Sequence, residues 1–197
     1  MYNSSMFSAI FLDRDGVLIE NRSNYVRKWS DVKIYPEAIG ALTLSTIKSY
    51  KIVIVTNQSA VGRGLISLKT ANEINSRLVK LIHHHGGQVD GVYMCPHKPE
   101  DDCICRKPKP GLLLQAAKDL SLDLQSSWMI GDAWSDVQAG QLAGVRQAML
   151  LKTGRGQEQL SQSRPNDIAK PLIFDNLMLA LEAILTFDNH QAKDEKS

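Results

Sequence analysis

Cysteine is scarce in this sequence, with only three among 197 residues. An odd count argues against a framework of disulfides, which is in any case a feature of oxidising compartments. The first six residues show no cationic region followed by an apolar core, so we expect no secretory signal and a cytoplasmic location. No apolar run approaches the ~20 residues that a membrane-spanning helix needs, which argues against a membrane partner.

An excess of charge of one sign is also lacking. The net charge is +2, and 23 Lys and Arg are interspersed with 21 Asp and Glu. A nucleic-acid-binding protein would show a basic stripe or cluster, so we expect no nucleic-acid partner.

The composition is that of an ordinary globular chain. Apolar residues make up 43% and charged residues 22%, both near globular averages. This length supports one well-cored domain and not two. We predict a single domain over 1–197, with a core of about 7–186 and a polar, frayed tail at 188–197.

Short β-branched or apolar runs alternate with helical patterns, which predicts a Rossmann-like, three-layer α/β domain with a mostly parallel sheet. The predicted strands are 7–12, 52–55, 91–94, 127–130, 147–151 and, at an edge, 171–174. The predicted helices are 36–49, 67–85, 110–120, 135–143 and 176–185. Segments 21–35 and 95–109 interrupt the alternation after strand ends, where open α/β sheets bind ligands.

All three cysteines fall in one of these interruptions together with a histidine. Structural zinc takes four soft ligands in a tetrahedron, and two close ligand pairs can supply them from one loop. We therefore predict a zinc-binding loop with the ligands Cys95, His97, Cys103 and Cys105. The loop would fix the positions of the two cationic residues that follow it, Arg106 and Lys107.

Acidic and polar side chains follow three of the predicted strands. Asp13 and Asp15 end the first strand, where one carboxylate can attack a substrate and its neighbour can move a proton. Asp132 ends the fourth strand, and Asp136 follows it. Oxygen ligands from separate strand ends, together with a phosphate, suit Mg²⁺. The second strand ends in hydroxyl and amide groups suited to phosphate oxygens: Thr56, Asn57, Gln58 and Ser59.

The order of these segments resembles the four motifs of the haloacid dehalogenase-like phosphohydrolases: Asp13-x-Asp15-Gly16, Thr56, Lys107, and Gly131-Asp132 followed by Asp136. The resemblance implies that Asp13 forms an aspartyl-phosphate and that Asp15 protonates the leaving oxygen and then activates water. It also implies that Mg²⁺ is held by Asp13, the backbone carbonyl of Asp15, and Asp132. Thr56 and Lys107 would steady the transferring group.

Within that superfamily the chain is similar to the zinc-bearing heptose 1,7-bisphosphate 7-phosphatases, which have no large cap domain. The similarity is found in residues 25–26, 56–59, 62–64, 95–108 and 153–154. It implies a Mg²⁺-dependent phosphatase whose small-molecule substrate is a phosphorylated sugar, namely D-glycero-D-manno-heptose 1,7-bisphosphate, for surface polysaccharide synthesis. We expect the protein to be a monomer. The implied substrate contacts are Asn24, Tyr25, Thr56, Asn57, Gln58, Ser59, Arg63, Arg106 and Lys107.

Three alternatives stay open. Only five residues separate His97 from Cys103, a short spacing that resembles the histidinol-phosphate phosphatases. A polynucleotide 3′-phosphatase shares the Thr-Asn-Gln segment, although the near-neutral charge and the cysteine loop argue against it. A zinc-stabilised binding module on a degenerate phosphatase fold would not need the acids that this chain keeps.

Five further features are interpreted as follows. Ala133 stands where the heptose enzymes can carry a lysine, which removes one contact with a second phosphate. We interpret His83 to His85 as a solvated helix end and 154–156 as a plain turn. Asp136 should orient its neighbours rather than bind metal. Trp134 is a candidate pocket residue.

Overall fold

The fold is built on a six-stranded sheet in which every strand pair is parallel. It is known from a computed structural model that describes residues 6–44, 47 and 49–194, with side chains in α7 as far as 187. The strand order β3-β2-β1-β4-β5-β6 places β1 at the centre, where the chain switches sides of the sheet. The strands are β1 Ala9–Leu12, β2 Lys51–Asn57, β3 Gly91–Cys95, β4 Trp128–Gly131, β5 Gln147–Leu151 and β6 Leu172–Phe174.

Seven α-helices connect and cover these strands in the described part of the chain. They are α1 Pro36–Leu42, α2 Ser59–Gly62, α3 Leu68–His84, α4 Gly111–Leu120, α5 Trp134–Ala143, α6 Gly156–Ser161 and α7 Leu177–Asp194. The cap predicted for α3 is present, because the Ser67 hydroxyl accepts a hydrogen bond from the Thr70 N–H.

Each face of the sheet carries its own apolar core. In β1, Ile10 and Leu12 face a core completed by α1, α3 and α7. Ala9 and Phe11 face the opposite core, which α4 and α5 complete. This alternation confirms the predicted three-layer α/β domain and keeps the sheet rigid beneath its carboxyl edge. No helix within the described ranges is both long and apolar enough to cross a bilayer.

Some predicted boundaries are wrong. The helix predicted over 36–49 ends at Leu42, where the Thr43 hydroxyl and N–H both bond to the Gly40 carbonyl in place of a continuing helix. The tail predicted to fray from 188 continues α7 to Asp194, while 195–197 lie outside the described residues. Two short helices, α2 and α6, were not predicted, because with only 4 and 6 residues they show no visible periodicity.

Candidate active site

The turn after β1 carries the two aspartates of the predicted first motif. The Asp13 N–H donates to the Ile130 carbonyl at 3.0 Å, which ties the end of β1 to β4. The chain then turns at Gly16, whose φ is +87°. A Cβ at this position would overlap the Asp132 carboxylate, so only glycine allows the turn and the acid to pack together.

Lys107 binds three acceptors at the bottom of the site. Its Nζ lies 2.9 Å from Asp13 Oδ1 and 2.7 Å from Asp136 Oδ1, and it donates to the Val55 carbonyl at 2.7 Å. Burial tends to lower the pKa of Lys107, but the charges of Asp13 and Asp136 outweigh it and the pKa is raised. The side chain is therefore a permanent ammonium that holds the Asp13 carboxylate in place.

Carboxylate oxygens of Asp13, Asp132 and Asp136 lie within 4.8 Å of one another. Burial, followed by the charge of Asp13, raises the pKa of Asp132. Burial also raises the pKa of Asp136 to about 7, with Asp13 and Asp132 adding to the rise and Lys107 opposing it. The acids outnumber the buried ammonium three to one. Such a surplus of buried oxygen ligands fits a hard divalent cation.

Asp136 also shapes the loop that presents Asp132. Its Oδ2 accepts hydrogen bonds from the backbone N–H groups of Asp132 at 3.2 Å and Ala133 at 3.1 Å. Both of its oxygens are thus engaged by protein donors, one by backbone and one by Lys107. This geometry is what an orienting role requires.

The predicted zinc ligands converge on one point. The Sγ of Cys103 lies 3.5 Å from that of Cys95 and 3.4 Å from that of Cys105. Nδ1 of His97 lies 3.6 Å from Cys95 Sγ and 3.4 Å from Cys105 Sγ. Four ligands at 2.3 Å from one ion in a tetrahedron would stand about 3.8 Å apart, so the cluster has the dimensions of a zinc site.

The thiols in this cluster differ in acidity. Burial, reinforced by a hydrogen bond with Cys105, raises the pKa of Cys95 to about 12. At Cys103 burial acts in the same direction, but hydrogen bonds with Cys105 and Cys95 overcome it and lower the pKa to about 7. A cation that takes these groups as thiolates must therefore displace protons.

Several known proteins are similar to this chain. A family model described as HAD-hydrolase-like matches residues 104–177. The D-glycero-beta-D-manno-heptose-1,7-bisphosphate 7-phosphatase of Pseudomonas aeruginosa is 34% identical over 90% of this chain and 98% of its own length. The enzyme of the same name from Helicobacter pylori is 41% identical over 73% of this chain and 82% of its own. This chain belongs to the heptose bisphosphate phosphatase family.

A solved structure extends the likeness to the fold. The D,D-heptose 1.7-bisphosphate phosphatase from B. bronchiseptica, complexed with magnesium and phosphate, superposes with a TM-score of 0.83 at 32% identity. The match covers 91% of this chain and 99% of the other. As a member of this family of haloacid dehalogenase-like enzymes, the protein is a phosphoric monoester hydrolase.

The residues after β2 that the family resemblance implies fall into three groups. Thr56 and Gln58 reach the centre, because Gln58 Nε2 donates to Thr56 Oγ1 at 2.9 Å and to Asp15 Oδ2 at 2.8 Å. The Asn57 side chain instead contacts the backbone of Lys107. Its Nδ2 donates to the Lys107 carbonyl, and its Oδ1 accepts from the Lys107 N–H. Ser59 is nearly buried at the start of α2.

The other predicted substrate contacts lie at the periphery. Asn24 and Tyr25 line an open cleft of about 410 Å³ formed by the segment after β1. Arg63 pairs with Glu100 at 3.6 Å, and Arg106 donates to the His97 carbonyl at 3.2 Å. Their roles as substrate contacts stay predictions. Trp134, the candidate pocket residue, packs in the core.

Sequence reasoning missed two residues that touch Asp132. The Arg155 N–H donates to Asp132 Oδ2 at 2.8 Å, and Arg155 Nη2 lies 3.3 Å from Oδ1. The Asn21 amide also contacts Oδ2. Residues 153–155 do form the predicted turn, but this turn also contacts Asp132, a role that the interpretation as a plain turn did not include. The available signal was that this segment follows β5, whose carboxyl end meets the same sheet edge as those of β1 and β4.

Proposed function

We propose that this protein is a Mg²⁺-dependent phosphatase that removes the 7-phosphate of D-glycero-D-manno-heptose 1,7-bisphosphate. The observation that carries the proposal is the cluster of Asp13, Asp132 and Asp136 with Lys107 at the carboxyl edge of the sheet. The specific substrate is supported by the names of relatives that cover most of the chain. The proposal includes a cytoplasmic, monomeric protein whose single domain spans 1–197.

Asp13 is the nucleophile in this proposal. A carboxylate oxygen of Asp13 forms a bond to phosphorus while the bond from phosphorus to the sugar oxygen breaks. Lys107 supports this step by holding Asp13 through the 2.9 Å ion pair, so the carboxylate is already oriented before the substrate reacts. Thr56, which is 1% exposed beside Gln58, contributes a hydroxyl near the transferring group.

Asp15 moves the protons. In the first step it gives a proton to the departing sugar oxygen, and in the second it takes a proton from the water that attacks the aspartyl-phosphate. The second step releases inorganic phosphate and restores Asp13. Asp15 is suited to this work because its side chain is 21% exposed, unlike that of Asp13, which is 7% exposed.

Asp13, Asp132 and the backbone carbonyl of Asp15 would hold Mg²⁺. When bound, the ion offsets the repulsion between the phosphate and the attacking carboxylate. Asp136 keeps Asp132 oriented through the backbone hydrogen bonds at the start of α5. Substrate contacts from Asn24, Tyr25, Ser59, Arg63 and Arg106 complete the proposal.

Cys95, His97, Cys103 and Cys105 would hold zinc. The role of that ion is positional, because two residues after Cys105 the chain supplies Lys107 to the centre of the site. Separations of 3.4 to 3.6 Å between four pairs of these ligand atoms support this assignment.

Phosphate release from three esters tests the proposal. Purified protein with Mg²⁺ should hydrolyse heptose 1,7-bisphosphate at a kcat/KM at least about tenfold above that for histidinol phosphate or a 3′-phosphorylated oligonucleotide, a difference of about 1.4 kcal/mol in transition-state binding. A preference for histidinol phosphate would replace the substrate and keep the mechanism. No release from any ester would reject the phosphatase assignment for this chain.

A further inference from the structure

Arg14 is a buried cation between the two catalytic aspartates that no motif explains. The residue is 1% exposed. Its Nε donates to Asp15 Oδ2 at 3.0 Å and its Nη2 donates to Asp15 Oδ1 at 3.2 Å. Two N–H groups on two carboxylate oxygens form a fork, which fixes the plane of the carboxylate as well as its position.

The guanidinium is itself held from α3. Arg14 Nη1 donates to Asn75 Oδ1 at 2.7 Å, and Asn75 Nδ2 donates weakly to the Met94 sulfur at 3.6 Å. Asn75 lies on the core face of α3 beside Ile74 and is 6% exposed. A buried amide on an apolar face is destabilising unless it is hydrogen-bonded, so the bond to Arg14 accounts for its presence there.

A third donor completes the restraint on Asp15. Gln58 Nε2 donates to Asp15 Oδ2 at 2.8 Å from the end of β2. Asp15 is therefore held from two elements, β2 through Gln58 and α3 through Arg14, while its side chain stays 21% exposed. Proton transfer to a bound substrate requires a carboxyl group that is held in one orientation and is still accessible to the substrate.

We propose that Asn75 and Arg14 are positioning residues for proton transfer, acting through the chain of contacts Asn75 to Arg14 to Asp15. The inference rests on the proposed phosphatase function. In the affected step the proton moves from Asp15 to the sugar oxygen as the phosphorus–oxygen bond breaks and the bond to Asp13 forms. Without the Asn75 acceptor, the Arg14 guanidinium can rotate. The Asp15 carboxyl then shifts, and its proton no longer points at the departing sugar oxygen.

Esters with different leaving groups separate this role from a general structural one. A sugar alkoxide leaves only with a proton, whereas 4-nitrophenolate leaves without one. We would measure single-turnover product release from a sugar phosphate and from 4-nitrophenyl phosphate with Mg²⁺ present. Asn75→Ala should lower the sugar phosphate rate about tenfold or more and the aryl phosphate rate less than about threefold, as expected for partial loss of general acid catalysis.

The chain offers a matched control and an independent second variant. Asn72→Ala removes an exposed asparagine from the same helix and should leave both rates unchanged. Arg14→Lys keeps the charge but loses the fork, so it should show the same selective loss as Asn75→Ala. Because both changes break one chain of contacts, the double variant should lose little more than either single variant.

The outcomes distinguish this inference from the function on which it rests. Equal losses on the two esters, no loss on either, or additive losses in the double variant would overturn the positioning role while the phosphatase assignment stands. If the unaltered protein releases product from neither ester, the proposed function itself fails.

Discussion

Asn57 holds the backbone of Lys107 with both ends of its side-chain amide. Oδ1 accepts a hydrogen bond from the Lys107 N–H at 3.1 Å, and Nδ2 donates to the Lys107 carbonyl at 3.0 Å. The pair joins the end of β2 to the cysteine loop. A second contact reinforces this junction, because the Gly62 N–H donates to the Pro96 carbonyl at 2.8 Å. The end of the second strand therefore fixes the position of the Lys107 backbone.

Asn57→Ala should lower kcat on heptose bisphosphate by about tenfold or more, because Lys107 loses two backbone hydrogen bonds worth about 1 kcal/mol each. Asn57→Asp keeps the acceptor and loses the donor, so its kcat should lie between those of Asn57→Ala and the parent. Steady-state kinetics with heptose bisphosphate provides the measurement. A rise in KM at unchanged kcat would instead favour the substrate contact that the sequence predicts.

Asp13→Asn should abolish turnover, because an amide cannot form the aspartyl-phosphate. The fold should persist, since the amide oxygen can still accept from Lys107. Phosphate release and the circular dichroism spectrum should be recorded on the same preparation. Activity above about one thousandth of the parent value would exclude an attack by Asp13.

Cys103→Ser should lower both the melting temperature and kcat, because one ligand of the proposed zinc ion and the order of the loop before Lys107 are lost together. Zinc content by mass spectrometry, melting by calorimetry and phosphate release provide the three readouts. Ile104→Ser alters the neighbouring residue, which is 81% exposed, and serves as the matched control. One zinc per chain and unchanged melting in Cys103→Ser would show that the ligand set is wrong.

Asp90 should contribute stability that depends on pH. Burial acts to raise its pKa, but hydrogen bonds from Lys51, Gln88 and the Ile52 N–H outweigh it and lower the pKa below the ordinary 3.8. A carboxyl whose pKa is lowered by folding stabilises the protein above the unfolded value and loses that effect as pH falls through the folded value. Asp90→Asn should therefore cost about 1 to 2 kcal/mol at pH 7.

The cost of Asp90→Asn should shrink as the pH falls below 3.8, the ordinary value of the group. Urea unfolding at pH 7 and at successively lower pH measures it. Glu73→Gln removes one partner of an exposed pair with Lys69 and should have little effect at any pH. A cost for Asp90→Asn that stays constant down to the lowest pH would contradict an electrostatic origin.

The sequence by itself determined the elements that have strong local signals. The continuous apolar run of β1 and the long apolar face of α3 predicted both elements within a few residues. The positions of Asp13 and Asp132 after two strands also predicted that their carboxylates would lie close together, because parallel strands end at one edge of the sheet. The spacing of the cysteines and His97 also predicted that these four side chains would converge, because all four lie in one short loop.

Only the tertiary structure decided which partner each polar group takes. Asn57 could have faced substrate, and no local pattern indicated that both its amide groups bind Lys107, 50 residues later in the chain. Arg155 and Asn21 come from loops that reach Asp132 through packing of distant segments. Asn75 reaches Arg14 from α3 in the same way. Such hydrogen bonds depend on distances of a few tenths of an ångström. Hydrophobic periodicity sets layers and strand ends, but it carries no information at that scale.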